Sequence, residues 1–265
     1  MRATLRAFPT LLRVGFAEMV AYRAEILIWI LSATMPLIML AMWDSVAAEG
    51  PVAGLDQAAF ARYFTVTLVV RHLTSCWVVW ELNMLIRSGG LSPQLLRPMH
   101  PLWFQAVRHA VALPVRIAVL VPLVALLVAW RPEMELAPTL AQVAVASVSS
   151  VLAWLIVFAT QVTFGCLAFW YGQSLGLFNL WFGLWSVFGG YLVPLAVMPD
   201  DIQTLAGWLP FRSMLGTPIE IGAGLLAPDE WAPALLVQLG WVTASSLVGL
   251  RVWRAGLARY GAFGA

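Results

Sequence analysis

The chain has 265 residues, of which 62% are hydrophobic and 11% charged, against about 45–50% and about 25% in soluble domains. A soluble fold of this size has no use for so much apolar surface, whereas a bilayer accommodates about six spans of about 20 residues each. The net charge of +2 and pI near 8.8 make no case for nucleic acid, because the basic residues are clustered. There is no lysine, and ten of the 15 arginines lie in residues 1–23, 87–108 and 251–265.

Taken in order, residues 1–24 read as a cytoplasmic tail and an amphipathic elbow helix. Pro9 suits a first helical position, and Leu12, Phe16, Met19 and Val20 share a face that would lie in the headgroup plane. The first span follows at 26–46, with Pro36 as a kink. Val46-Ala47-Ala48 resembles a signal-peptide cleavage site, but the apolar core before it begins too late for such a leader, so 26–46 is read as a retained span. A short acidic outer loop runs from Glu49 to Asp56.

The second span, 63–86, carries Arg71, His72 and Glu81 and is the least comfortable in lipid. A cytoplasmic loop and amphipathic lead-in, 87–108, precede a third span at 113–130. The tight turn 131–135 leads to a fourth span at 140–169. An uncharged inner turn, 171–174, leads to a fifth at 175–197. Residues 198–231 are apolar but broken at Pro199, Pro210, Pro218 and Pro228 into pieces too short to cross about 30 Å of hydrocarbon. They read as a re-entrant hairpin on the outer side. A sixth span, 233–252, ends among Arg251, Arg254 and Arg259.

Orientation follows from arginine, since basic residues near span ends stay on the cytoplasmic side. This threading puts all three basic clusters inside with both chain ends. Outside it leaves only Arg62, Arg131 and Arg212, among ten acids. The expected protein is all-α, a single transmembrane domain over residues 1–265.

Several chemistries are excluded by what is missing. A chain without lysine holds no G-x-x-x-x-G-K-[ST] phosphate loop. It also lacks H-E-x-x-H, C-x-x-C and G-x-S-x-G. His72, His100 and His109 are not spaced as ligands, and Cys76 and Cys166 read as small buried residues. The expectation is no catalysis and no cofactor or metal bound by this chain.

Three features remain. In the loop after the second span, Ser92 suits an N-cap with Pro93 at the first helical position. Pro98 disfavours helical geometry at Arg97, so this helix lasts about one turn. Leu91, Leu95 and Leu96 give it an apolar side, and Gly89-Gly90 bend the chain into it. Such a helix fits a socket on a partner; an interfacial loop touching lipid is the other reading.

In the hairpin, Asp200 and Asp201 suit capping positions, Ile202, Leu205 and Leu209 share a side, and Trp208 suits an interface. A lid over a pathway and a packing element both fit. Arg71 costs about 2.5–3.5 kcal/mol at a span's centre on insertion scales, and Glu81, about 15 Å further along a helix, is too far to pair with it. Arg71 either meets an anionic group in a pathway, or forms a structural ion pair with another helix or snorkels upward.

Certain stretches resemble the permease subunits of ABC type-2 exporters, in a short six-span branch without a fused ATPase. They are Tyr22-Arg23-Ala24-Glu25, the loop Ile86-Arg87-Ser88-Gly89-Gly90-Leu91 to Leu95-Leu96-Arg97-Pro98, and Leu192-Val193-Pro194-Leu195-Ala196-Val197-Met198-Pro199 continued by Trp208-Leu209-Pro210-Phe211. The resemblance implies six spans, an N-terminal elbow and an outer re-entrant hairpin. It implies that 92–97 is the coupling helix, within the loop residues Gly89, Gly90, Leu91, Ser92, Pro93, Leu95, Leu96, Arg97 and Pro98. It implies a pathway lined by the second and fifth spans, with Arg71, Glu81, Phe178, Trp181 and Trp185 as candidates. An outer gate would involve Pro194, Pro199, Trp208, Pro210 and Phe211.

The implied partners are a separate ATPase subunit in two copies, holding ATP and Mg, and a second permease, the same chain or a paralogue. The implied place is the cytoplasmic (inner) membrane, with export of a lipid, glycan, peptide or drug-like substrate. A docking or anchor subunit without a path of its own is the alternative.

Overall fold

A computed structural model describes residues 33–172 and 174–260. The expected elbow helix and the first residues of the expected first span lie outside them. The described residues are helical, with no strand among them. Ten α-helices follow in order: α1 (Thr34–Ala47), α2 (Gln57–Thr74), α3 (Val78–Arg87), α4 (Leu91–Leu95), α5 (Pro101–Trp130), α6 (Leu140–Cys166), α7 (Leu175–Phe188), α8 (Asp200–Trp208), α9 (Thr217–Gly222) and α10 (Trp231–Tyr260).

Among the described residues, three segments are long and apolar enough to cross a membrane: Pro101–Trp130, Leu140–Phe169 and Pro228–Tyr260, of 30, 30 and 33 residues. At 1.5 Å per residue the first two reach about 45 Å. Helices α1 and α7 are apolar but shorter. Residues 140–169 are helical throughout, as α6 and the 3-10 turn Leu167–Phe169 that extends it. Thr139 starts it by accepting a hydrogen bond from the Gln142 amide at 3.1 Å.

Helix α6 is the hub, packing on α10, α3, α9 and α2. Its buried side is rich in small residues, including Ser149, Ser150, Ala153, Ala159 and Gly165, which let neighbouring backbones approach where no hydrophobic force drives helices together. Gly165 is the tightest case. A Cβ there would lie 2.9 Å from Leu82 Cβ and 3.3 Å from the Val79 backbone of α3. We expect Gly165→Ala to destabilise the protein by about 1–3 kcal/mol through overpacking, read as a lower thermal midpoint in nanodiscs; an unchanged midpoint would show that α3 gives way without cost.

Several expectations are corrected. The second span is not one helix over 63–86. Helix α2 begins earlier, with Asp56 accepting from the Ala59 amide at 2.8 Å, and stops at Thr74; Ser75 is extended and α3 starts at Val78. The lead-in within 87–108 is not separate from the third span. It is the first part of α5, started by Pro101 and by His100 Nδ1, which accepts from the Leu102 amide at 3.2 Å. Pro114 and Pro122 sit inside α5, where neighbouring helices and local adjustments re-satisfy freed backbone groups.

The fifth span does not run helically to Val197. Helix α7 ends at Phe188, where Gly189 and Gly190 turn the chain, Gly190 at φ +81°. The turned segment is pinned by Tyr63, whose hydroxyl donates to the Gly190 carbonyl at 2.7 Å, and by Trp43, whose indole donates to the Leu192 carbonyl at 3.1 Å.

Residues 198–231 form short pieces: α8, a π-helical turn Arg212–Gly216, α9 and the 3-10 turn Pro228–Glu230. Asp200 and Asp201 do not cap α8. They occupy its first turn, after Pro199 at the N-cap, where their charge faces the positive end of the helix dipole. Arg212 pairs with Glu220 at 2.7 Å. Arg131, after α5, pairs with Asp44 of α1 at 2.5 Å. Helix α10 continues past the expected limit at 252, with Arg259 in its last turn.

Candidate functional site

The break between α2 and α3 organises the site. It exposes backbone groups that helix would otherwise pair, and such groups are costly away from water. Two side chains from other helices meet them. Arg116 of α5 donates to the His72 carbonyl at 3.2 Å, and to the Ser75 carbonyl at 2.6 Å and hydroxyl at 3.2 Å. Gln161 of α6 donates to the Cys76 carbonyl at 2.9 Å and accepts from the Val79 amide at 3.3 Å. Irregular backbone away from water is tolerated where protein covers it or where it lines a cavity; this break does both.

A cavity of about 500 Å³ lies on one side of the break, with Arg71, Trp77, Trp80, Phe178, Trp181 and Trp185 among its walls. Four of the five pathway candidates therefore share one space. Phe178, Trp181 and Trp185 fall three and four residues apart, which puts them on one face of α7. Arg71 is in the last turn of α2, and its guanidinium carbon lies 5.2 Å from the Trp185 ring centre and 5.9 Å from that of Tyr191, within cation–π range. Phe178 meets Trp80 edge-on at 5.1 Å, and Trp181 lies 4.6 Å from Phe211.

Glu81, the fifth candidate, is elsewhere. It pairs with Arg108 of α5 at 2.8 Å and lines a second cavity of about 260 Å³ with Gln105, His109 and Arg116. The two cavities share Cys76, Trp77 and Trp80, so the broken segment is their common wall. Arg116 and Gln161 were passed over in the sequence. Arg116 had a signal, being a second arginine within an apolar span; Gln161 had none.

The outer-gate candidates differ in burial. Phe211 is buried against Trp181 and Phe188, and Pro194 and Pro210 are buried too, while Pro199 is exposed and Trp208 is 79% exposed. Phe211 alone of the five touches the wall of the aromatic cavity through a ring contact.

The loop residues Gly89 to Pro98 hold α4 between α3 and α5. Gly89 sits at φ +76°, which a residue with Cβ rarely adopts. The cap is not Ser92: the N-cap position is Gly90, and the Ser92 hydroxyl instead lies 3.0 Å from that of Tyr260 at the end of α10. Leu91 is fully buried, whereas Leu96 is 88% exposed. Leu95, Pro93, Arg97 and Pro98 are exposed as well. Just beyond, partial burial lowers the pKa of His100 from its usual value, which favours the neutral ring whose Nδ1 accepts the Leu102 amide.

Comparison with family profiles gives a match to "ABC-2 family transporter protein" over residues 54–264. Comparison with curated proteins and with solved structures gives no match. The match spans the broken helix, the aromatic cavity, the α4 loop and all three membrane-length helices. This chain is a multi-pass membrane protein of the ABC-2 transporter family.

Proposed function

We propose that the chain is the permease subunit of an ATP-driven exporter and works with a separate ATPase subunit in two copies, which binds ATP and Mg. Two permeases, identical or paralogous, face each other in the cytoplasmic membrane, with both chain ends and the α4 loop on the ATP side. The cargo is a lipid, glycan, peptide or drug-like molecule carried past α2, α3 and α7. Residues 198–231 act as the outer re-entrant hairpin.

The observation that carries this reading is α4. It is a rigid turn anchored by Leu91 and by the Ser92–Tyr260 contact, and it presents Leu96 outward. A push on α4 reaches α3 through Gly89-Gly90, and α3 carries Trp80 on the cavity wall. ATP-driven closure of the ATPase dimer would thus move one wall of the aromatic space.

Cysteine labelling tests the orientation. Cys76 and Cys166 are buried, so added cysteines report with little background. Gln94→Cys should resist a membrane-impermeant maleimide in intact cells and react in inside-out vesicles, and Asp200→Cys should do the reverse. Labelling of position 94 from outside, with position 200 protected, would overturn the proposal.

A further inference from the structure

Three hydrogen-bond donors on residues that wall the aromatic cavity lack partners. Arg71 Nε, Trp181 Nε1 and Trp185 Nε1 are all buried, and none has a hydrogen-bond partner. All three are donors that cannot accept. Buried polar groups are nearly always paired, so each exception calls for an explanation. Among the described residues no carboxylate lines this cavity, and Arg71 is met by the Tyr191 hydroxyl and by no ion pair: the pairs present are those of Arg108, Arg131 and Arg212. The Gln161 amide, also on the wall, is committed to the broken backbone.

We infer that this cavity binds an amphipathic anion, a molecule with one carboxylate, sulfonate or phosphate group on an aromatic or single-chain apolar body. The acidic group accepts from Arg71, and a small rotation of Trp181 and Trp185 would bring to it their indole N–H groups, which have almost no surface open to the cavity. The apolar body lies along Phe178 and between Trp77 and Trp80, residues that are 44% and 37% exposed. A space of about 500 Å³ is in the range of sites for small organic ligands, and a two-tailed phospholipid overfills it. A cationic ligand is disfavoured, because Arg71 already occupies the cation–π face of Trp185. The inference rests on the reading of this space as the substrate pathway and narrows the cargo to one charge class.

The test uses the full-length chain in phosphatidylcholine nanodiscs without the ATPase. The probes are 11-(dansylamino)undecanoate, its methyl ester and a dansyl-alkyl trimethylammonium of equal length. The expected result is binding of the carboxylate about tenfold or more tighter than the ester, the worth of a charge-assisted hydrogen bond, with the ammonium weakest. Arg71→Gln should erase the preference, Arg71→Lys should keep part of it, and Trp185→Phe should reduce it. Equal binding of acid and ester by the unmodified protein would overturn the inference whatever the variants do, as would a preference that survives Arg71→Gln.

Phosphatidylglycerol added to the discs should leave probe affinity nearly unchanged. Competitive loss of probe would make a lipid headgroup the occupant and overturn the single-chain assignment. Because no ATPase is present, the outcome is separable from the exporter reading. Selective binding without ATPase coupling would sink that reading alone, and coupling without charge selectivity would sink this one alone.

Discussion

In a purified complex with its ATPase, Leu96→Asp is expected to lower ATPase binding by about 30-fold or more and to remove stimulation of ATP hydrolysis by the permease. The permease itself should keep its melting temperature. The figure is that of an interface hot spot of about 2 kcal/mol, and it is conservative, because an aspartate seated in an apolar socket pays a larger desolvation cost. The melting temperature should hold because Leu96 is 88% exposed and contributes little to the fold.

Leu91 supplies the contrast. It is fully buried, so Leu91→Ala should cost about 2–5 kcal/mol of stability as a core truncation, lowering folded yield before it affects any partner. Two leucines five residues apart thus separate anchoring from docking. Full ATPase stimulation by the Leu96→Asp protein would leave α4 without a coupling role and would favour a docking subunit that contacts its partner elsewhere.

What was legible in the sequence divides along physical lines. Helix α6 was readable because an unbroken apolar run begins at a threonine cap and meets no glycine pair or proline before its end. The fifth span was misread because the apolar composition continues past Phe188 while the backbone turns at Gly189 and Gly190. Hydropathy averages side chains and does not register a left-handed glycine. Phe178, Trp181 and Trp185 could be grouped in advance, since helical spacing puts them on one face, and Arg71 stood out by its cost in lipid.

Their meeting in one cavity depends on α2 ending at Thr74, and nothing between Ser75 and Trp77 announces that end. There is no proline and no glycine in the segment. The groups that hold it open, Arg116 and Gln161, lie on α5 and α6 and reach it only through the packing of those helices. The partner of Glu81 was hidden for the same reason: Arg108 is on α5, two helices on from α3, and pairing across helices follows no fixed spacing along the chain. Local signals show where a helix starts; a helix broken by remote side chains leaves no local trace.

That dependence leads to the second large effect. Gln161→Leu is nearly isosteric, yet it should lower the thermal midpoint in nanodiscs by about 5–15 °C. One amide serves both edges of the break, donating to Cys76 at 2.9 Å and accepting from Val79 at 3.3 Å. Leucine leaves a carbonyl and an amide unpaired, each costing about 1–3 kcal/mol when buried, and at about 2–4 °C per kcal/mol for a chain of this size the two reach that range. Thr163→Val, on the same helix, is the control. The Thr163 hydroxyl donates only to Ala159 of its own helix at 2.9 Å, so its loss should shift the midpoint far less. Hydrogen exchange at the Val79 amide should accelerate in Gln161→Leu and stay slow in Thr163→Val. Equal melting of the two variants, with Val79 still protected, would mean that the gap between α2 and α3 is held by Arg116 alone, and that Gln161 faces the cavity free to meet a ligand.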